Sequence, residues 1–455
     1  MVLYRMQIFF SIKYAKYRIS EKNFKEEGWL MDAIRSMLDN IEIPKFVRIR
    51  QIFDTTRVEN TEECINSQFQ EDKIANTIKS GQTIGITVGS RGLANLKEIV
   101  RCICNNVKVL GATPVILPSM GSHGGAIAEG QATFVRGLGV TEESVGAEIR
   151  AGMEVVQLGT TDEGLPVYYD KIASKLDGVI VLGRIKAHTD LNGDIESGLH
   201  KMTAVGLGNH KGAQVCHAMG LDKAAPRVKS IARYAFNHSN IIFGIGLIEN
   251  AYDETNEIVF LPTSEIADSE AALLAKSKRQ LPRFLFNDID ILIVDEIGKN
   301  ISGDGMDPNI IGRGIIDYKN KEIRINKIVT LDLSKESGSN AYGVGLSDIT
   351  TKRVFNKLET EAMYTNAITA IAINGVRIPI AMESDKLAIQ LAIRSVCSEE
   401  PNELRIARIK DTLSLSEIDV SEGLIDELKT NKNIEIIGGP KELNFDGSGN
   451  LIGEV

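Results

Sequence analysis

The chain has 455 residues, 43% of them hydrophobic and 25% charged, with a net charge of −9. That length buries a large core and predicts more than one domain. The acidic balance argues against nucleic acid or an anionic membrane as partner, since no basic excess is available to neutralise phosphates, and leaves small molecules as the expected ligands. Five cysteines (Cys64, Cys102, Cys104, Cys216, Cys397) are scattered, odd in number and without a C-x-x-C pair. They fit a reducing compartment and supply no zinc framework, so a cytoplasmic protein is expected. No apolar run reaches the roughly 18 residues that a membrane span needs.

In chain order, residues 1–30 carry a short apolar patch interrupted by Lys13, Lys16 and Arg18, and read as a poorly packed N-terminal extension. From residue 31, short apolar strands alternate with longer amphipathic helices. TIGITVGSRG (83–92) predicts a strand ending in a glycine-flanked turn, and LANLKEIVRCICNNVKVLG (93–111) a helix closed by glycine. TPVILPSMGSHGG predicts strand then loop, and AIAEGQATFVRGLG a helix. DGVIVLGRIKAH (177–188) and IIFGIGLIEN (241–250) repeat the strand and loop. Strands that are apolar throughout and separated by helices predict a parallel sheet covered on both faces, hence an α/β fold. A basic stretch ending at Pro282 marks a boundary, and IDILIVDEIGKN (289–300) opens a second series of strands and helices. The expectation is two α/β domains with mostly parallel sheets: 31–285 holding the catalytic and cofactor-binding groups, and 286–455 closing a cleft, with the glycine-rich tail returning to the first domain.

Five of the six histidines, His123, His188, His200, His210 and His217, fall within residues 123–217. His123 and His188 follow predicted strands, and Arg91 follows a third. In open α/β sheets the loops beyond the carboxyl ends of strands converge on the ligand crevice. Taken singly, each residue is as readily a turn or surface group; together they predict a site. Two imidazoles can act as acid and base near neutral pH, and an arginine clamps a carboxylate bidentately, which points to a 2-hydroxy acid or similar small carboxylate.

The stretch 190–220 is dense in functional residue types. His210, Gln214 and His217 share one face if the segment is helical, although the glycines around Lys201 predict loop in its first half. Lys201 near a cleft can anchor a cofactor covalently once desolvation or a cationic neighbour activates its amine. Neutral imidazole suits nickel, zinc or iron, and no cysteine ligand set is present. In the second half, Glu296 and Lys299 of VDEIGKN are placed to face the first domain, with Lys299 a second carboxylate contact. GDGMDPN lacks the spacing of a calcium loop, and no G-x-G-x-x-G with a following acid occurs.

From about residue 45 to 420 the order and spacing of these groups resemble the nickel-pincer lactate racemase family. The resemblance implies that Arg91 contacts the substrate carboxylate, that His123 of MGSHGG and His188 of RIKAHTD are the acid/base pair, and that Lys201 of SGLHKM bonds to the pincer cofactor. It further implies that His217 ligates nickel and that Lys299 of DEIGKN contacts substrate. The cofactor it implies is a pyridinium thioamide/thiocarboxylate mononucleotide with nickel, and the reaction a racemisation by hydride transfer. Gly121, Gly124 and Gly125 are expected to let the backbone approach cofactor or substrate closely. Two departures point to a hydroxy acid other than lactate. The first motif here runs Val88-Gly89-Ser90-Arg91-Gly92 in place of aspartate, threonine, arginine and proline, and Gly198-Leu199-His200-Lys201 stands for glycine-glycine-arginine-lysine. Two other readings remain open from the residues. One is a zinc- or iron-dependent hydrolase or lyase using the histidines of 188–217; the other is a non-catalytic cofactor or small-molecule binder.

Overall fold

The computed structural model describes residues 29–220, 223–315, 323–397 and 400–453. The predicted N-terminal extension falls almost wholly outside the described residues. Among these residues the strands are, in chain order, β1 (Phe46–Gln51), β2 (Thr83–Val88), β3 (Thr113–Pro118), β4 (Glu148–Ile149), β5 (Val155–Thr160), β6 (Pro166–Asp170), β7 (Gly178–Arg184) and β8 (Ile241–Glu249). They continue with β9 (Thr255–Pro262), β10 (Ile289–Ile297), β11 (Ile325–Leu333), β12 (Ile349–Thr351), β13 (Ile380–Met382), β14 (Ile406–Ile409), β15 (Glu417–Ser421) and β16 (Ile434–Ile436).

Two large sheets organise the molecule. The first has the order β4-β3-β2-β7-β8-β9 and is parallel except for the antiparallel β8–β9 pair. Its central strands are apolar throughout because both faces are covered: Ile84, Ile86, Ile116 and Ile180 face one core, and Val115, Val179 and Val181 the other. The helix Leu96–Val109 buries Ile99, Val100, Ile103 and Val107 on the first face. The helix Ala224–His238 buries Val228, Ile231 and Ala235 against the second. The second sheet has the order β13-β12-β11-β10-β14-β15-β1-β16, parallel from β13 to β14 and antiparallel beyond.

The chain path differs from the expected division. β1 pairs with β15 and β16, and Ile49 and Phe53 pack with residues from beyond 284, so the segment from Trp29 to Phe53 is part of the second sheet's structure. The tail stays there too, with Lys441 bridging to Phe46. The cause is a long-range pairing that local pattern does not reveal, since the partners of Ile49 are Ile418 and Ile436. The two chain crossings between the sheets lie side by side. Buried Gln51 accepts from Leu285 N at 2.7 Å and donates to Leu415 O at 2.8 Å, while Gln280 donates to Asp54 at 3.0 Å. No helix among the described residues is long and apolar enough to cross a membrane.

Candidate active site

β3, β2 and β7 are adjacent, and their carboxyl ends deliver the loops holding His123, Arg91 and His188 to one edge. β2 and β7 pair through Ile84–Ile86, beyond which the buried Thr87 hydroxyl bridges them, donating to Leu182 O at 3.1 Å and accepting from Leu182 N at 2.9 Å. A cavity of about 160 Å³ opens there, lined by Arg91, His123, Lys186, Lys201 and Met202 among others. Met202 seats between two strand ends because both carry glycine: a Cβ on Gly183 would lie 2.8 Å from its Cγ, and one on Gly89 3.4 Å from its sulfur. The loop after β2 is anchored by Glu249, which accepts from Ala94 N at 2.6 Å and pairs with Arg184 at 2.5 Å.

Lys201 sits on a short helix, Leu199–Lys201, that widens into a π-helical turn over Met202–Gly206, a distortion common at functional sites. The glycine-rich segment is therefore helical where loop was expected. The reason lies at a distance in sequence. Glu270, on the helix Thr263–Gln280, accepts from His200 N at 3.0 Å and contacts His200 Nδ1 at 2.7 Å, supplying the N-terminal cap that Gly198 lacks. A Cβ at residue 198 would lie 2.0 Å from that carboxylate. Burial, then the charge of Arg91, lowers the Lys201 ammonium to about 8.

His123 donates from one ring nitrogen, Nδ1, to Met120 O at 3.0 Å. Its ring stays partly open to solvent, yet burial lowers its pKa, and Arg91, Lys201 and Lys299 all bear on it with their charge. His188 is oriented by its own loop: Nδ1 accepts from Asp190 N at 2.9 Å and Leu191 N at 3.1 Å. Its backbone N–H donates to buried Glu196 at 2.8 Å, which also pairs with Lys278 at 2.6 Å. Burial lowers the His188 pKa well below the ordinary value, helped by Lys201, His217, Arg91 and Lys186. His217, at the end of the helix Asn209–His217, is lowered by burial and by Lys201.

Lys299 follows β10 of the second sheet and stands 4.9 Å over the Tyr342 ring. Burial lowers its pKa, opposed by Asp304 and Asp190, and Arg91 bears on it as well. Arg91 and Lys201 thus bear on both His123 and His188, and Lys299 bears on His123, while His188 lines a neighbouring cavity with Leu191 and Glu196. Among the described residues none of the three cations has a carboxylate at ion-pairing distance; Arg91 donates only to Ser90 O, at 3.3 Å.

Other sequence candidates lie elsewhere. Glu296 sits among Asp332, Glu336, Asp411 and Lys410, so burial and like charges raise its pKa and it faces acids, not Arg91. His200 is fully buried with Glu270 and His210 is exposed, so the histidines of 188–217 read as a zinc or iron set do not share one environment. No group of three or more His, Cys, Asp or Glu side chains among the described residues is placed to hold a metal ion. The loop glycines serve the chain itself. Gly124 has φ +65°, and a Cβ there would lie 2.7 Å from Gln131 N; one on Gly121 would lie 3.0 Å from Val205. They let the His123 loop close onto the helix Ala128–Gly137 and the turn after Lys201.

Residues 42–227 match the family model described as the lactate racemase N-terminal domain. Over this span the chain is similar to that family. No curated protein compared with the chain matches it. Among solved structures, the lactate racemase apoprotein from Thermoanaerobacterium thermosaccharolyticum is similar at 12% identity and a TM-score of 0.47, covering 81% of this chain and 99% of that one. A structural-genomics protein from Thermotoga maritima is similar at 10% identity and a TM-score of 0.45, covering 69% of this chain and 82% of that one. The lactate racemase N-terminal match contains Arg91, His123, His188, Lys201 and His217 but stops short of Lys299.

Two groups beside this set were missed in the sequence. Asp190 and Asp304 lie near one another; burial, then the Asp190 charge, raises Asp304 far above the usual carboxylate range. Asp190 stands two residues after His188, which was a usable signal. Asp304 is brought in by a loop of the second sheet, and nothing local announces it.

Proposed function

We propose that the protein is a racemase or epimerase of a 2-hydroxy acid. The observation that carries this reading is the convergence on the ring of His123 of three cations, Arg91, Lys201 and Lys299, that have no ion-pair partner among the described residues. Such a set calls for an anion. Arg91 and Lys299 approach from different sheets and suit the two oxygens of a substrate carboxylate. Because Nδ1 of His123 donates to Met120 O, its Nε2 lone pair is left to accept the substrate hydroxyl proton and return it.

Lys201 and His217 fit a nickel-pincer nucleotide. With an ammonium lowered to about 8, Lys201 is substantially a neutral nucleophile near pH 8. The depressed pKa of His217 keeps its imidazole neutral and able to ligate. Lys201 and His217 are the residues that would hold such a group. When bound, that group supplies reversible acceptance of the substrate α-hydride. The chain itself holds the carboxylate, moves the hydroxyl proton, and keeps water from the cavity floor with Met120, Leu182 and Met202.

The test is intact mass and metal analysis of protein co-produced with the cofactor-biosynthesis proteins, followed by incubation with enantiopure 2-hydroxy acids. An adduct on Lys201, about one nickel per chain and loss of optical purity support the reading. Bound zinc without adduct or racemisation overturns it.

A further inference from the structure

The two site histidines are held in opposite tautomers. At His123 the Nδ1 partner is a carbonyl, Met120 O at 3.0 Å, which only accepts, so Nδ1 carries the hydrogen and Nε2 is the free base. At His188 the Nδ1 partners are two backbone amides, Asp190 N at 2.9 Å and Leu191 N at 3.1 Å, which only donate. A hydrogen on that nitrogen would point at two others. The ring's single hydrogen is therefore on Nε2, and protonating Nδ1 would break both bonds.

The loop has little freedom to turn the ring over. Glu196 is 2% exposed and fixes the His188 backbone N–H, and it is itself held by Lys278. Asn309 of the second sheet's structure donates to His188 O at 3.4 Å. The groups that bear on the ring are Lys201, His217, Arg91 and Lys186, with Asp190 and Glu196 in its own loop. The four outside the loop all oppose an imidazolium.

We infer that His188 is a fixed hydrogen-bond donor through Nε2–H, and that His123 alone transfers the proton. This rests on the 2-hydroxy-acid reading for its catalytic meaning. A neutral imidazole held by backbone amides can stabilise a substrate oxygen as charge builds on it without taking a proton. The hydroxyl O–H bond then breaks toward His123 Nε2, and the same nitrogen returns the proton when the hydroxyl reforms. No proton passes to His188 in either direction.

The experiment begins with the wild-type protein carrying ring-15N histidine, observed by multiple-bond 1H–15N correlation from about pH 5.5 to 8.5, a span chosen around the ordinary imidazole pKa. The His188 signals are assigned by their loss in His188→Gln. The expected spectrum has an unprotonated Nδ1 and a protonated Nε2 throughout; an Nδ1–H tautomer, or an imidazolium above about pH 6.5, overturns the inference. On loaded enzyme, His188→Gln, whose amide N–H donates but never carries a proton away, is expected within about tenfold of wild-type kcat. His188→Leu is expected to lose about 10²–10³-fold and His123→Gln about 10²–10⁴-fold. The pH profile of kcat/KM should show one imidazole ionisation on its acid limb. A His188→Gln enzyme as inactive as His123→Gln, or a bell set by two imidazoles, overturns the inference. If wild-type enzyme changes no 2-hydroxy acid, the functional reading falls, while the ring spectra still decide the tautomer.

Discussion

Burial, then the charge of nearby Asp190, raises the Asp304 carboxyl to about 9, so that it holds its proton near neutral pH. The folded state keeps this proton where an unfolded aspartate, near pH 4, has lost it. Between that value and the raised folded pKa the native state binds more protons than the unfolded one. Its contribution is therefore full below about pH 4 and is lost as pH rises. Asp304→Asn cannot ionise, so it should melt several degrees higher than wild type at pH 8 and flatten the slope of Tm against pH. Parallel thermal melts between pH 4.5 and 8.5 check this, and equal slopes in both proteins would sink it.

Lys201 should be the most reactive lysine of the chain at mildly alkaline pH. Its lowered pKa, about 8, leaves about half of it neutral at that pH, whereas an ordinary lysine is under 1% neutral there. Trapping with a small aldehyde and borohydride at pH 8, read by peptide mass spectrometry, should label Lys201 first. Labelling no faster than at exposed Lys211 would contradict the desolvation argument.

Arg91 has no carboxylate partner among the described residues and so is free to meet one from a ligand. Replacing it by alanine removes a charge-assisted contact that is typically about 1.5–3 kcal/mol, or about 10–150-fold in affinity. Calorimetric titration with a 2-oxo or 2-hydroxy acid should show that loss with the Tm nearly unchanged. Arg91→Lys should recover only part, because an ammonium cannot bind bidentately.

Glu270 is fully buried with His200, and both have less than 2% side-chain exposure. Glu270→Ala leaves an imidazole and a helix N-terminus without their acceptor, a loss of about 3 kcal/mol for a broken buried pair. Denaturant unfolding gives the stability change. The same variant should slow aldehyde labelling of Lys201, because the helix that presents it loses its cap.

Gly124→Ala places a Cβ 2.7 Å from Gln131 N at φ +65°. A loss of about 1–3 kcal/mol is expected from strain at a left-handed position with no room. Gly125→Ala, with φ +71° but its nearest neighbour 3.9 Å away, should lose less. Equal losses would mean that backbone conformation alone sets the cost.

Much of the first sheet was legible because its strands are buried on both faces and so write uninterrupted apolar runs between helices. β2, β3, β7 and β8 appear where TIGITV, TPVILP, GVIVLGR and IIFGIGLIE stand, and β10 of the second sheet where IDILIVDEI does. β1 (FVRIRQ) alternates apolar with charged residues, and Arg48 and Arg50 find partners in Asp419 and Glu417 some 370 residues away. No local rule reaches that far. The site shows the same limit. Arg91, His123 and His188 were readable from their places after strands, whereas the tautomer of His188 depends on where two amides point, and the helical state of Lys201 depends on Glu270. Glu296 was assigned by nearness to Lys299 in sequence. Strand alternation alone does not separate the two, since Lys299 lies past the end of β10; the register of β10 with β11 is what sets Glu296 beside Asp332.

The side-by-side crossings stapled by Gln51 have a mechanical consequence. Two linkers at one point tie the sheets together as two knuckles tie the leaves of a door. Lys299 and Asp304 ride on one leaf, Lys201 and His188 on the other. A single proteolytic nick in either crossing leaves the leaves attached, so limited proteolysis must cut both before they part.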